Sequence, residues 1–204
     1  MEKIAVTGYT GFIGQHLVSR LLKLGHAVYP IGREYRSVEC DRIYHLGCYS
    51  SSQHINDQPI NVMESILDGT RQAIAICPSA LFVNISSMGA AEIDIADPRQ
   101  RAYNIAKLCM ETYLENSDIK YINYRLPSVY GEDMRNDGLI KRSSQGTATP
   151  PIDPDRIYYI AHVTDVVESL ANLQSINMEQ ITLGQIYEQF TTRRRGLHRP
   201  TSST

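Results

Sequence analysis

The chain has 204 residues, of which 20 are basic and 22 are acidic, and its formal net charge is -2 at pH 7. This length fits one α/β domain with a small satellite lobe and leaves too little chain for two full domains. The near balance of charge gives no overall positive field, so we expect no nucleic-acid partner. No signal peptide precedes the first strand and no apolar run reaches the length of a membrane span, so we expect a soluble, cytoplasmic protein without a membrane partner.

The first predicted strand, residues 3–6, leads directly into the glycine-rich segment TGYTGFIG at residues 7–14, and a helical period begins at Phe12. Gly8 allows a tight turn, Gly11 lets backbone N–H groups approach a pyrophosphate, and Gly14 permits close packing of the helix on the strand. This context indicates a dinucleotide site, and a glycine-rich turn without a ligand is the alternative. The predicted cofactor contacts in this segment are Gly8, Thr10, Gly11, Phe12, Ile13 and Gly14.

Strands and helices alternate along the rest of the chain. The predicted strands cover residues 27–31, 42–46, 81–85 and 121–126, and the predicted helices cover residues 61–77, 102–115 and 163–173. Such alternation predicts an α/β fold with a mostly parallel, doubly wound sheet covered by helices on both faces.

Glycines and prolines interrupt any long element between residues 131 and 156. We therefore predict a Rossmann-type core at residues 1–130 and a small, irregular C-terminal substrate lobe with a returning helix at residues 131–190. Residues 191–204, which contain the basic run 193–195, are predicted to form a flexible, solvated tail.

Tyr103 and Lys107 stand four residues apart and so share one face of a predicted helix. Using a tyrosinate as a base at pH 7 costs about 4 kcal/mol, because a phenol ionises near pH 10. An ammonium about 4 Å away contributes a similar amount at an effective dielectric constant of about 20. Ser86 and Ser87 follow the strand at residues 81–85, and Ser87 could hydrogen-bond the substrate oxygen whose proton moves. The alternative is an exposed Tyr/Lys pair on an amphipathic helix.

Cofactor choice depends on the residue about 20 positions beyond the last glycine of the turn. Arg33 stands 19 positions beyond Gly14 and would accommodate the 2′-phosphate of NADP. Its neighbour Glu34 could instead bind the free ribose of NAD. We therefore favour NADP over NAD, and a surface arginine without a ligand is the remaining alternative.

Six segments in the right order resemble the extended short-chain dehydrogenase/reductases, in particular the NAD(P)-dependent sugar-nucleotide epimerase/dehydratase group. They are TGYTGFIG at 7–14, DRIYHLGC at 41–48, ISS at 85–87, YNIAK at 103–107, YRLPSVYG at 124–131 and YIAHVTDVVESL at 159–170.

This resemblance implies that Tyr103 removes or returns a proton while a hydride passes to a bound nicotinamide, and that Lys107 also holds the nicotinamide ribose. It implies that Ser87 is the third catalytic residue. Leu46 and Gly47 are expected to contact the cofactor, with Gly47 giving it room. The substrate implied is a nucleotide sugar, and a homodimer is expected.

Substrate contacts are expected from Ser86 and from three cations of the lobe, since phosphate recognition needs cationic donors. Lys141, Arg142 and Arg156 could clamp a diphosphate, although each taken singly is more often solvated. Arg156 is favoured, because it precedes the 159–170 segment, near where members of the similar family often place a diphosphate-binding arginine.

The chain is shorter than members of that family. Only eight residues separate Arg33 from the strand predicted to begin near Arg42, too few for a crossover that contains a helix and another strand. An extended segment of that length reaches about 26 to 29 Å, enough for a direct return to the sheet. We expect the adenine side of the cofactor pocket to be thinner and more open.

Four cysteines, Cys40, Cys48, Cys77 and Cys109, form neither a CxxC pair nor a zinc pattern, and the six histidines have no metal-binding spacing. We expect reduced thiols and no metal site. His45 and His162 are interpreted as core-edge histidines whose ring nitrogens bond to the backbone.

The sequence thus predicts an NAD(P)-dependent enzyme similar to nucleotide-sugar epimerases, dehydratases or 4-keto reductases. One alternative is an NADP-linked reductase of small carbonyl compounds. The other is a non-catalytic cofactor sensor on the same fold, which would have no need of Ser87, Tyr103 and Lys107 together.

Overall fold

The structure is a computed structural model that describes residues 1–136 and 138–192. The chain forms two compact units, and the boundary between them lies between Leu126 and Pro127. All of the predicted tail beyond residue 192, including the basic run at 193–195, lies outside the described residues. Within those residues, no helix has the length and apolar character needed to cross a membrane.

The first unit alternates strands and helices. Its elements are β1 (Lys3–Thr7), α1 (Phe12–Lys23), β2 (Ala27–Ile31), β3 (Arg42–His45), α2 (Ser52–Asp57), α3 (Pro59–Ile76), β4 (Leu81–Ser87), α4 (Pro98–Glu115) and β5 (Tyr121–Leu126), with a short 3-10 helix at Met88–Ala91 between β4 and α4.

Five parallel strands form the sheet of this unit in the order β2-β1-β3-β4-β5. Both faces are buried, because successive side chains of a strand point to opposite faces and Ile4, Ala5 and Val6 of β1 are all fully buried. One face packs against α3 and α4 through Ala73 and Leu114. The predicted Rossmann-type α/β fold is therefore confirmed.

Most predicted elements are present, with small differences at their ends. The strands at Ala27–Ile31 and Tyr121–Leu126 have the predicted bounds. α3 and α4 each begin earlier than predicted because each has a proline in its first turn, where the missing N–H costs nothing. Asp97 caps α4 by accepting a hydrogen bond from the Arg99 N–H at 2.9 Å.

The connection between β2 and β3, residues 32–41, contains no helix or strand. Because β1 lies between β2 and β3, this connection crosses β1 in ten residues, and the predicted loss of a crossover strand is confirmed. Tyr35, Val38 and Cys40 pack against the core from this connection. At its end, the Asp41 N–H donates to the Lys3 carbonyl oxygen at 2.8 Å. The connection is thus a packed part of the unit.

In its described residues, the second unit forms a three-stranded sheet and three helices. Its elements are β6 (Ser128–Tyr130), α5 (Leu139–Ser144), β7 (Ile157–His162), α6 (Val163–Ala171), β8 (Glu179–Thr182) and α7 (Leu183–Thr192). β7 is the middle strand, parallel to β6 and antiparallel to β8. The helix predicted at residues 163–173 is α6. None of the three strands was predicted. β6 and β8 have only three and four residues, which is too short for a pattern, and β7 was missed although it has six.

Candidate active site

The glycine turn follows β1 and leads directly into α1. Gly8 has a φ of +65°, and the Gly11 N–H donates to its carbonyl oxygen at 2.9 Å. A Cβ at Gly8 would lie 2.6 Å from the Leu46 carbonyl group, and one at Gly14 would collide with the Gly8 oxygen. Both positions therefore require glycine for folding. Gly11 is different, because its φ of -75° is open to other residues and a Cβ there would meet only the Gly8 oxygen, at 3.2 Å.

The turn lies at the point where the order of the sheet reverses. β2 extends the sheet from one side of β1 and β3 from the other, and ligands of open α/β sheets bind at the carboxyl ends of the strands beside such a point. Leu46 and Gly47 follow β3 there, and the Gly47 N–H donates to the Thr7 hydroxyl at 3.1 Å. The cofactor-binding roles of this turn and of Leu46 and Gly47 stay predictions.

His45, the last residue of β3, is fully buried, and its Nδ1 lies 2.8 Å from the Thr7 hydroxyl oxygen. The expected backbone partner is therefore replaced by a side chain. His162 does follow the expectation, since its Nδ1 accepts from the Thr164 N–H at 3.3 Å. Burial, together with the positive charge of Lys107, lowers the pKa of His45 to about 3, so the ring is neutral. Its Nε2 has no hydrogen-bond partner within the described parts of the chain.

This neutral histidine predicts a specific loss of stability in acid. The unfolded chain takes up a proton at His45 near the ordinary pKa of 6.5, whereas the folded protein does so only near 3. The free energy of unfolding is therefore expected to fall as the pH falls below about 6.5, by up to about 1.4 kcal/mol per pH unit from this group. Denaturant unfolding between about pH 7.5 and about pH 4 measures the slope.

The matched control is His54→Gln at an exposed histidine, which should keep the slope, while His45→Gln should reduce it. An unchanged slope in His45→Gln would show that another group causes the acid sensitivity.

Lys107 lies on α4 with only 5% of its surface exposed. Its Nζ donates to the Ile85 carbonyl oxygen at 2.8 Å and to Cys48 Sγ at 3.3 Å. Burial alone lowers the pKa of Lys107, but the Cys48 thiol and the Tyr103 phenol more than offset it, so the pKa lies above its ordinary value. The side chain is thus a fixed, protonated cation at the carboxyl end of β4.

Tyr103 and Lys107 lie together, as their spacing predicts. The Lys107 ammonium is 6.0 Å from the centroid of the Tyr103 ring. Tyr103 also packs against a cluster of buried residues that includes Ile66 and Met110. Ser87 ends β4, two residues after the carbonyl group that holds Lys107, and its hydroxyl accepts from the Gly89 N–H at 3.2 Å. The catalytic roles of these three residues stay predictions.

Two polar residues that the sequence analysis missed fix α4 in place. The buried Asn104 side chain donates to the Glu92 carbonyl oxygen at 2.7 Å, which ties the helix to the 3-10 helix before it. One turn beyond Lys107, the buried Glu111 carboxylate accepts two hydrogen bonds from Arg125 of β5, at 3.0 and 2.6 Å. Glu111 could have been identified from the sequence, because it is a glutamate on the apolar face of a predicted helix. No sequence signal identified Cys48.

Arg33 lies two residues beyond the end of β2, is exposed, and is thus accessible to a ligand. Glu34, the competing residue for cofactor choice, forms a 2.7 Å ion pair with Arg36. Both partners of that pair are largely exposed, so it contributes little to stability. In this ion pair the Glu34 carboxylate is bound to Arg36, whereas recognition of NAD would require it to bind the ribose of the cofactor.

The predicted substrate contacts fall in both units. Ser86 is buried in β4, and its hydroxyl has no hydrogen-bond partner within the described residues. Lys141 and Arg142 lie in the last turn of α5. Arg156 precedes β7, is exposed, and lies 5.4 Å from the centroid of the Tyr158 ring. Their substrate-binding roles stay predictions.

In the part of the chain that the structure describes, no three His, Cys, Asp or Glu side chains form a group that could hold a metal ion.

The sequence model of the NAD dependent epimerase/dehydratase family matches residues 4–39 and 35–173. The two matched segments meet within the β2–β3 connection, where the chain is shortened. Together they span well over half of the chain. No curated protein sequence matches significantly.

Several solved structures share the fold. The UDP-glucose 4-epimerase of Thermus thermophilus, in complex with NAD, has a TM-score of 0.72 and 19% identity over 92% of this chain and 82% of its own. RMD from Pseudomonas aeruginosa, complexed with NADPH, has a TM-score of 0.68 and 19% identity over 92% of this chain and 80% of its own. The capsular polysaccharide assembling protein CapF from Staphylococcus aureus has a TM-score of 0.63 and 17% identity. In that last case 93% of this chain spans only 56% of the other protein.

Proposed function

Because this chain belongs to the NAD-dependent epimerase/dehydratase family of enzymes, we propose that it binds NADP or NAD and acts on a nucleotide sugar. The reaction would be an epimerisation, a dehydration or a 4-keto reduction. The main support for this proposal is the buried Lys107 cation. Its ammonium group donates to the Ile85 carbonyl oxygen and lies beside the Tyr103 ring.

The residues at the end of β1 fit a dinucleotide. The turn from Gly8 to Gly14 is packed so closely that side chains at its first and last glycines have no room. α1 begins at Phe12, and its first N–H groups lack an intrahelical partner and favour an anion. Gly8, Thr10, Gly11, Phe12, Ile13 and Gly14 would hold the pyrophosphate, with Leu46 and Gly47 beside it.

When bound, the nicotinamide would supply a hydride acceptor and donor. Tyr103 would remove or return the proton of a sugar hydroxyl, and Ser87 would hydrogen-bond the same oxygen. The Lys107 ammonium lies 6.0 Å from the centroid of the Tyr103 ring. An ammonium about 4 Å from a phenolate oxygen would attract it by about 4 kcal/mol with an effective dielectric constant of about 20, which matches the cost of about 4 kcal/mol for ionising a phenol at pH 7. Lys107 would also hold the nicotinamide ribose.

The second unit would supply the substrate-binding part of the enzyme. Its cations Lys141, Arg142 and Arg156 are candidates for the diphosphate, since guanidinium and ammonium groups bind phosphate oxygens. Arg156 is the strongest of them, because it precedes β7, near where members of the family often place a diphosphate-binding arginine. The expected homodimer stays a prediction.

Product analysis tests the proposed activity. The protein is incubated with NAD or NADP and a panel of UDP-, GDP- and dTDP-sugars, and the products are separated by chromatography and identified by mass spectrometry. We expect at least one sugar to be converted by the wild-type protein and none by Tyr103→Phe. Conversion of simple aldehydes or ketones, with no change in any nucleotide sugar, would favour the small-carbonyl reductase instead.

The preference for NADP is supported by Arg33, which is exposed beyond β2, and by the pairing of Glu34 with Arg36. Of the solved structures named above, the Thermus thermophilus enzyme is in complex with NAD and RMD is complexed with NADPH, so this choice depends on the chain's own residues.

Replacing Arg33 by Ala is expected to weaken NADP binding by about 1.5 to 3 kcal/mol, the range for a hydrogen bond to a charged group. NAD binding should hardly change, because NAD lacks the 2′-phosphate. Titration calorimetry with both cofactors measures the difference. Lys23→Ala removes an exposed cation in the last turn of α1, at the opposite end of that helix from the glycine turn, and serves as the control. Equal losses for NADP and NAD in Arg33→Ala would show that Arg33 does not bind the phosphate.

A further inference from the structure

Two cysteines of the first unit, Cys40 and Cys77, contact each other. Cys40 is near the end of the β2–β3 connection, and Cys77 directly follows α3. The Cys77 thiol donates to the Cys40 carbonyl oxygen at 3.5 Å. Both residues also belong to one hydrophobic cluster, with Cys40 buried in it and Cys77 packed against it. The Cys77 thiol therefore lies against Cys40 although the residues are 37 positions apart.

The two thiols have unequal environments. Cys40 is buried, with 7% of its surface exposed, whereas Cys77 is partly exposed. Burial, with a smaller effect from Cys77, raises the pKa of Cys40 to about 12. Hydrogen bonding with the Cys40 backbone, and then with the Ser79 hydroxyl, lowers the pKa of Cys77. Cys77 is thus the accessible and more readily ionised thiol, and an incoming reagent would meet it first.

We propose that Cys40 and Cys77 form a dithiol site that is oxidised to an intramolecular disulfide by exchange with a small-molecule disulfide such as oxidised glutathione. The Cys77 thiolate attacks one sulfur of the reagent, the reagent's S–S bond breaks, and one glutathione leaves as a thiolate. The Cys40 sulfur then attacks Cys77 and displaces the second glutathione. The two protons of the protein thiols end on the two glutathione thiols, so one disulfide is reduced as one is formed.

The disulfide would join the β2–β3 connection to the end of α3. It would close a loop that contains β3, α2 and α3, and such a link restricts the unfolded chain far more than the folded one. Oxidation should therefore stabilise the protein. The other cysteines differ in their surroundings, since Cys48 contacts Lys107 and Cys109 is exposed on α4.

The test exposes the full chain to oxidised glutathione, blocks the remaining thiols by alkylation, and maps the peptides by mass spectrometry. We expect a disulfide-linked pair of peptides that contain Cys40 and Cys77. The midpoint of thermal unfolding should rise by about 5 °C or more and return after reduction. Cys109→Ser should behave as the wild type does. A stable glutathione adduct on Cys77 in the wild-type protein, with no linked pair, would overturn the proposal.

Single-cysteine variants test the order of attack. In Cys40→Ser the second step is blocked, so a glutathione adduct should accumulate on Cys77, and Cys40→Ala repeats the test if the buried serine prevents folding. In Cys77→Ser the Cys40 thiol should stay unmodified. Rapid modification of Cys40 in the folded Cys77→Ser variant would contradict the assignment of Cys77 as the attacking thiol.

Discussion

Replacing Tyr103 by Phe is expected to abolish measurable turnover while leaving cofactor affinity nearly unchanged. General acid–base catalysis by a single side chain contributes about 10²- to 10⁴-fold to a rate, and the phenol oxygen is the group that would carry the proton. The ring would stay in place, because Phe keeps the packing against the cluster around Ile66 and Met110. Steady-state kinetics, combined with direct titration of the cofactor, separates the two effects.

Lys107→Met should weaken both turnover and cofactor binding, because Lys107 would hold the nicotinamide ribose as well as activate Tyr103. Tyr113→Phe is the matched control, since Tyr113 is exposed on the same helix and its loss of a hydroxyl should leave the kinetics unchanged. Full activity in Tyr103→Phe would eliminate the proposed acid–base mechanism.

Replacing Gly11 by Val is expected to remove detectable cofactor binding. The backbone at Gly11 is extended and tolerates a side chain, and a Cβ there would lie 3.2 Å from its one neighbour, the Gly8 oxygen. Valine should therefore obstruct the approach of a pyrophosphate without breaking the turn. Gly8 and Gly14 are unsuitable for this test, because side chains there would collide with the backbone and unfold the site. Calorimetric titration measures the loss, and circular dichroism checks the fold.

Substitutions in the β2–β3 connection between Tyr35 and Cys40 are expected to have modest effects on cofactor affinity. Without a crossover helix, fewer side chains would contact the adenine, and affinity would depend mainly on the pyrophosphate. Tyr35→Phe and Glu39→Ala are suitable, since each changes one polar group of the connection. If either proved as damaging to affinity as Gly11→Val, the connection would have to be a structured part of the cofactor site.

The core sheet could be predicted from the sequence because its signals are local. Buried parallel strands have continuous apolar runs, and the bounds of the strand at Tyr121–Leu126 follow directly from such a run. The spacing of Tyr103 and Lys107 places them on one helix face at any position in the fold. The shortened connection before Arg42 was predictable from chain length alone, since ten residues cannot hold a crossover helix and a strand.

Contacts between distant residues could not be predicted in this way. Cys48 meets Lys107 across 59 positions, and only the packed fold shows that the thiol shares the ammonium with the Ile85 carbonyl oxygen. The partner of His45 was predicted wrongly for the same reason, because the Thr7 hydroxyl comes from a neighbouring strand 38 positions away. Two strands of the second unit, β6 and β8, are too short for their alternation to be recognised.

Thermal unfolding of the wild-type protein in NADP, NAD and no ligand shows whether the turn at the end of β1 binds a pyridine dinucleotide. A ligand at 100 times its dissociation constant stabilises a protein by about 2.7 kcal/mol, enough to raise the unfolding midpoint by several degrees. We predict such a rise with NADP, a smaller one with NAD, and none with either cofactor in Gly11→Val. An unchanged midpoint in the wild-type protein at millimolar concentrations of both cofactors would show that the turn does not bind a pyridine dinucleotide.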